Sequence, residues 1–367
     1  MTEAAAIRLE AARLVEFFEH RGARRVDPPV LQPARTLLDL YGEDIRARAY
    51  VTADPVLGEA MLRPDFTVPV VRMHMEKGAG AARYTYAGEV FRKPEGASHR
   101  PPEHVQVGFE VFDGAAPAEA DAEVFAAISQ ALEPLGLRAA TGDIGLLLAA
   151  VKGLSTTDLR KKALLRHLWR PRRFRALLDR FAGRTPPPQG RAELLASPDP
   201  MACDAPLVGL RSAGEIEARI EALRADAKAP PIPAAEVALL DDLLGLRETV
   251  SNITEHLRDL AVDMPGIAPA VERFAARGQA LAARGVDIDR LDFEGSYGRT
   301  ALEYYDGFVF GLYAEGRPDL PPVATGGRYD ALTRVLGEGR EMPAVGGVIR
   351  PGLALDLGQD LGQEVRP

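Results

Sequence analysis

Short segments rich in β-forming residues occupy the first 150 or so residues, stop, and resume only after Gly285, with a long stretch of different character between them. From about Ser155 to Ala283, Leu, Ala, Arg and Glu dominate and β-branched residues are sparse, a composition that favours helix. Its breaks fall at Gly183–Gly190 (GRTPPPQG) and Lys228–Pro233 (KAPPIP), where proline removes a backbone donor and favours extended or turn geometry. A sheet assembled from both ends of the chain and interrupted by helices is the simplest architecture. The expected fold is therefore α+β, with residues 1–154 and 285–367 building one core, an antiparallel sheet flanked by helices, and residues 155–284 forming an all-helical insertion.

Within the first part, Ile7, Ala11, Leu14 and Phe18 fall at helical spacing and Gly22 would end that helix. Strands are expected over Arg25–Leu31, Ala49–Thr52, Ala60–Arg63, Arg83–Phe91 and Gln106–Phe112, a helix over Ala118–Leu135, and a strand or turn leading into a helix over Asp143–Leu154. After the insertion, strands are expected over Arg290–Phe293, Leu302–Tyr313 and Val345–Ile349.

The 367 residues are 46% hydrophobic and 27% charged, which excludes disordered, collagenous and disulfide-scaffold classes. Forty-five Lys and Arg against 53 Asp and Glu give a net charge of −8, so the surface as a whole is no polyanion footprint. The single cysteine, Cys203, can form no internal disulfide and no metal site alone; it reads as inert and points to a reducing cytoplasm. No signal peptide is expected from the start MTEAAAIRLEAARLVEFF, and apolar runs such as Ile144–Val151 stop far short of the roughly 20 residues of a membrane span. His20, His74, His99, His104 and His256 show no metal-ligand or nucleophile–base spacing. The stretch Arg160–Arg175 carries eight Lys or Arg with His167 and Trp169; a solvated helix face and a surface for phosphate, RNA or an acidic partner remain alternative readings.

Four stretches carry chemistry. Arg24–Gln32 (RRVDPPVLQ) is a strand-like start meeting a proline pair. Leu62–Thr67 (LRPDFT) sets an arginine, a carboxylate and a hydroxyl at a strand end. Gly88–Phe112 is a strand ending in Phe91–Arg92, a polar loop and a return strand on which Gln106, Gly108 and Glu110 share one face. Leu302–Phe310 (LEYYDGFVF), Ala324–Asp330 (ATGGRYD) and Pro343–Ile349 (PAVGGVI) supply tyrosines, and glycines that permit close backbone approach. In this order the stretches resemble the catalytic core of histidyl-tRNA synthetase. The first and third correspond to class II motifs 1 and 2, PAVGGVI to the start of motif 3, and LRPDFT, LEYYDG and GGRYD to the histidine pocket.

The departures fall on adenylation chemistry. The synthetase glutamate two residues after the motif 2 arginine is Pro94 here. The arginine ahead of the tyrosine pair is Thr300, and Arg299 is expected on the other face. The motif 3 arginine has no match, since Arg350 falls three positions early and Pro351 would disturb a continuing helix. With the sequence ending at Pro367, no anticodon-binding domain is expected. A retained amino-acid pocket without ATP and tRNA chemistry resembles the regulatory subunits of ATP phosphoribosyltransferase. That resemblance implies a non-catalytic protein with no cofactor, dimeric through its motif 1 surface. It further implies a short-form catalytic subunit as partner, L-histidine as feedback effector, and no role for tRNA or membrane.

Carried over residue by residue, the resemblance implies that Asp65, Thr67 and Gln106 receive the α-ammonium of histidine, with Asp65 shorter than the usual glutamate. Glu110, Tyr305 and Tyr329 would surround the imidazole, Arg92 would face a carboxylate or phosphate, and Gly326 and Gly327 would line the pocket with backbone. Tyr304 alternates with Tyr305 and is expected in the core. The same polar groups are compatible with a satisfied pair inside a sheet, and the glycines with a tight turn. The rival reading is a histidine-activating enzyme lacking the anticodon domain.

Overall fold

The computed structural model describes residues 2–41, 45–78, 80–94, 101–202, 209, 211–299 and 304–364. Thr300, Cys203 and His99 lie outside the described residues. The chain opens with α1 (Glu3–Glu19), which buries Ala11, Leu14, Val15 and Phe18 as the spacing predicts. Gly22 then turns the chain at φ +82°, a conformation open to glycine without steric cost. The strand expected over Arg25–Leu31 is divided into β1 (Arg24–Arg25) and β2 (Leu31–Pro33), because Pro28 and Pro29 between them have no N–H to give a ladder.

Next come α2 (Ala34–Tyr41), α3 (Ile45–Arg48), β3 (Val51–Asp54) and β4 (Gly58–Leu62). They are followed by α4 (Thr67–Glu76) and the hairpin of β5 (Ala82–Phe91) and β6 (Glu103–Phe112). Then α5 (Pro117–Ala131) ends in a short 3₁₀ turn over Glu133–Leu135, and β7 (Arg138–Asp143) feeds α6 (Ile144–Gly153), whose first turn is capped by the Asp143 carboxylate. The helix α4 has no counterpart among the sequence expectations, since TVPVVRMHME is rich in β-branched residues and proline. It is buried along most of its length, so tertiary packing outweighs propensity.

Among the described residues of 155–284 lie the helices α7 (Asp158–Arg166), α8 (Pro171–Phe181), α9 (Gln189–Ala196), α10 (Ala213–Lys228), α11 (Ala234–Gly245), α12 (Val250–Asp263) and α13 (Ala268–Ala283). The proline clusters separate α8 from α9 and α10 from α11. One segment differs: β8 (Arg247–Thr249) pairs antiparallel with β9 (Asp292–Glu294). Its residues, RET, carry no apolar signal, because an edge pair is made by backbone groups alone. The chain closes with β10 (Phe308–Tyr313), β11 (Ala324–Arg328), α14 (Asp330–Leu336), β12 (Ala344–Ile349) and α15 (Pro351–Glu364). Pro351 opens α15 rather than disturbing it, as suits a position where a missing N–H is harmless.

The described residues form a nine-stranded sheet of order β1-β5-β6-β12-β11-β10-β7-β9-β8 and a three-stranded sheet β2-β4-β3. Pairing is parallel only at β1–β5 and β7–β9. One face of the large sheet packs on helices: Phe18 of α1 stacks on Phe109 with ring centroids 4.9 Å apart, and Phe125 of α5 meets Phe310 edge-on at 5.2 Å. The register sets Glu110, Gly346, Gly327 and Val309 in one row, and directly opposed residues point to the same face. The opposite face of the sheet is thus left for a site.

Candidate functional site

A cleft of about 920 Å³ lies over that face. Of the residues singled out from the sequence, Asp65, Thr67, Arg92, Gln106, Tyr305 and Gly326 line it. Glu110, Tyr329 and Gly327 lie behind its surface, in contact with those that do. Asp65 and Thr67 arrive at the start of α4, where the Asp65 carboxylate accepts from Val68 N at 3.3 Å. Gln106 and Glu110 come from β6, as the alternation predicts. Arg92, at the end of β5, donates from Nε to Pro64 O at 2.7 Å.

Glu110 is fully buried and receives three hydroxyls: Tyr329 at 2.6 Å, Tyr86 at 2.7 Å and Thr67 at 3.2 Å. Burial pushes its carboxyl up to about 7, against the three hydroxyls, which favour the charge, while the nearby Asp65 adds to the rise. Burial likewise raises the Tyr86, Tyr305 and Tyr329 phenols, each helped by the Glu110 charge. Glycines make the space: a Cβ at 346 would sit 1.3 Å from Glu110 Oε2, one at 108 would sit 2.0 Å from the Tyr86 ring, and one at 327 would sit 2.7 Å from the Tyr305 ring. Large polar side chains therefore lie flat on bare backbone. Gln106 is 1% exposed, and its Oε1 has no hydrogen-bond partner among the described residues.

Several lining residues escaped the sequence reading. Tyr304 is buried in the core as expected, and it also lines the cleft beside Tyr305, their rings 4.9 Å apart at 67°. Both precede β10 and lie outside any strand, so alternation does not separate them. Arg299 also lines the cleft; it sits in a turn, so strand-face reasoning does not apply to it. Its Nε donates to Leu168 O at 2.9 Å, its guanidinium lies over the Phe174 ring at 4.8 Å, and Nη2 is buried without a partner among the described residues. The link between α7 and α8 is thereby tied to a lining residue of the cleft, and Pro171 is part of its wall. Tyr297, whose hydroxyl bonds that of Tyr313 at 2.8 Å, covers Gly142 and Gly311. Tyr86 had a legible signal, since it faces Gly108 across the hairpin.

Two arginines of the quoted stretches are structural. Arg63 of LRPDFT is buried, donates to Pro28 O at 2.6 Å and Glu89 O at 2.9 Å, and lies over the Phe66 ring at 3.9 Å. It ties the motif 1-like segment, the small sheet and the hairpin into one unit. Arg160, first of the basic stretch, is buried against Asp226 at 2.6 Å, and Arg175 pairs with Asp241. Lys162, Arg166, Arg172 and Arg173 stay exposed. Beneath Tyr329, Arg328 donates to Asp121 at 2.9 Å and Asp330 at 3.0 Å, and Arg277 of α13 donates to Asp143 at 2.7 Å and to Asp121 at 3.5 Å. Among the described residues no group of His, Cys, Asp and Glu has the arrangement of a metal site, and no helix is long and apolar enough to cross a membrane.

Comparison with known proteins gives a consistent result. The family model described as histidyl-tRNA synthetase matches residues 1–351. An ATP phosphoribosyltransferase regulatory subunit of Allorhizobium ampelinum is 34% identical over 362 residues, covering 92% of this chain and 94% of its own. One of Brucella anthropi is 32% identical over 348 residues, covering 89% and 91%. Among solved structures, a chain titled ATP phosphoribosyltransferase regulatory subunit/histidyl-tRNA synthetase from Bacillus halodurans superposes with a TM-score of 0.66 at 20% identity, covering 96% of this chain and 79% of that one. Histidyl-tRNA synthetase from Nostoc gives 0.63 at 17% identity, covering 96% and 72%. These two likenesses speak for the fold, a class II synthetase-like core.

Proposed function

The chain belongs to the family of ATP phosphoribosyltransferase regulatory subunits, and we propose that it acts without catalysis of its own, binding L-histidine in the cleft and passing that signal to a short-form catalytic subunit. The observation that carries this reading is the polar end of the cleft. Asp65, Thr67 and the unpartnered Gln106 Oε1 are buried together there, and a carboxylate with neutral acceptors suits an ammonium with three donors. Tyr305 would flank the imidazole, with Glu110 and Tyr329 behind it, one proton-accepting carboxylate near neutrality and two phenols. Arg92 would face the amino-acid carboxylate, and Gly326 and Gly327 would let the ligand approach the backbone. Residues 1–154 and 285–367 would form the sensing core of a dimer, residues 155–284 an appended region, and the assembly would work in the cytoplasm.

The test is to mix the purified chain with a short-form catalytic subunit and follow turnover over a histidine titration. Turnover should rise on mixing and fall with histidine, and Gln106→Ala should weaken histidine inhibition about tenfold or more, the usual range for a hydrogen bond to a charged group. Turnover and histidine sensitivity that are the same with and without this chain would end the proposal. Histidine-dependent exchange of pyrophosphate into ATP by this chain alone would favour the amino-acid-activating reading.

A further inference from the structure

A second cavity, of about 430 Å³, opens between the end of α4 and the start of β5, lined by Arg24, His74, Lys77, Arg83 and Tyr84 with Gly22 and Gly80–Ala82. It shares no lining residue with the cleft. Its charges are cationic. Arg83 is neutralised by a two-point pair with Glu123, at 2.6 and 2.7 Å, whereas among the described residues no carboxylate pairs with Arg24 or Lys77. Both of these side chains are exposed.

The wall of the cavity holds a buried donor with nothing to donate to. His74 is 3% exposed and stacks on Phe112 with centroids 3.9 Å apart. Its Nδ1 lies 3.1 Å from the Tyr84 hydroxyl, which itself receives Arg24 Nη2 at 3.2 Å. Burial, then the Arg24 charge beside it, holds the ring down at about 4, so at neutral pH the imidazole is uncharged. The hydroxyl, already accepting from arginine, has its own proton to give to Nδ1. The ring hydrogen therefore belongs on Nε2, and Nε2 is buried without a partner among the described residues. A buried orphan donor is costly unless something accepts from it.

We infer that this cavity binds a phosphate group, free or as a monoester, between Arg24, Lys77 and His74. Phosphate supplies acceptor oxygens in several directions at once, matching the Arg24 guanidinium fork on β1 with the Lys77 ammonium and the His74 imidazole N–H at the end of α4, all three residues lining the one cavity. The cavity is roomier than the ion requires, so a substituent on one oxygen fits. This site makes no use of the histidine pocket and stands or falls separately from it.

Calorimetric titration of the full chain with inorganic phosphate and with methyl phosphate, against chloride at equal ionic strength, tests the assignment. Binding should weaken about tenfold or more in Arg24→Gln and in Lys77→Gln and stay unchanged in Lys162→Gln, a matched loss of charge elsewhere. Both site changes are at exposed side chains, so folding should survive, as circular dichroism will report. The Nε2 resonance of His74, read by ¹⁵N NMR, should move with the same saturation curve. Tighter binding of phosphate than of methyl phosphate assigns the free ion, and the reverse assigns a monoester. Binding no stronger than chloride, or binding that survives both site variants, or equal weakening by Lys162→Gln, overturns the proposal.

Discussion

Replacing Glu110 by glutamine should abolish a pH-dependent loss of stability that the wild-type chain suffers between about pH 4.5 and 7. The carboxyl is lifted by burial from its ordinary 4.5 to about 7 in the folded protein. A group that holds its proton more tightly when folded leaves the folded state with more protons than the unfolded one within that window, so stability declines as pH rises through it. At about 1.4 kcal/mol for each pH unit of displacement, the decline is on the order of 3 kcal/mol. Glutamine is neutral throughout and keeps one acceptor oxygen for the hydroxyls of Tyr86 and Thr67, while its NH2 can donate to the Tyr329 hydroxyl in place of accepting from it. Urea unfolding of both proteins at half-unit steps from pH 4.5 to 8 gives the difference in unfolding free energy. In that difference other titrations cancel, including Asp306, which burial and then Asp330 raise from 3.8 to about 6. The wild type should be favoured at pH 4.5 relative to pH 7.5 by roughly 3 kcal/mol, with the change centred between pH 5 and 7. A difference flat to within about 0.5 kcal/mol, the usual limit of additivity, would mean that the three hydroxyls hold Glu110 ionised across the range, and the reasoning would be wrong.

Gly346→Ala places a methyl on Glu110 Oε2, the gap being 1.3 Å; it should lower stability by about 1–3 kcal/mol, the cost of overpacking, and weaken histidine binding at the same time, as read by urea unfolding and calorimetry. Arg277→Leu leaves Asp121 and Asp143 buried with less countercharge, and should cost about 3–5 kcal/mol in the same unfolding assay, with partial recovery when Asp143→Asn is added.

How far the sequence could be read depends on whether a residue's neighbours are local. The β5–β6 hairpin was legible because period-two alternation and a polar loop are properties of one continuous segment, and the same alternation put Gln106 and Glu110 on one face. Tyr305 and Tyr329 entered through the resemblance, and the sheet brings Tyr329 within 2.6 Å of a carboxylate 219 residues earlier in the chain. That Tyr304 and Arg299 line the cleft was not legible, because strand geometry does not apply where the chain turns. Tyr297 and Tyr313 gave no signal, since the bare backbone they cover belongs to β7 and β10, and only the register shows that Gly142 and Gly311 leave the room. His74 was dismissed for lacking a partner at any useful spacing, and its chain of contacts runs through Tyr84 to Arg24, on three different elements.

The large sheet finishes at one side in a strand of two residues and at the other in a strand of three. Strands so short offer a passing chain almost no free backbone of their own to zip onto, so β1 and β8 are poor templates for strand addition. An interface built on helices and loops rests on side-chain contacts instead. Such contacts can be retuned one substitution at a time without disturbing the hydrogen-bonded frame that holds the cleft.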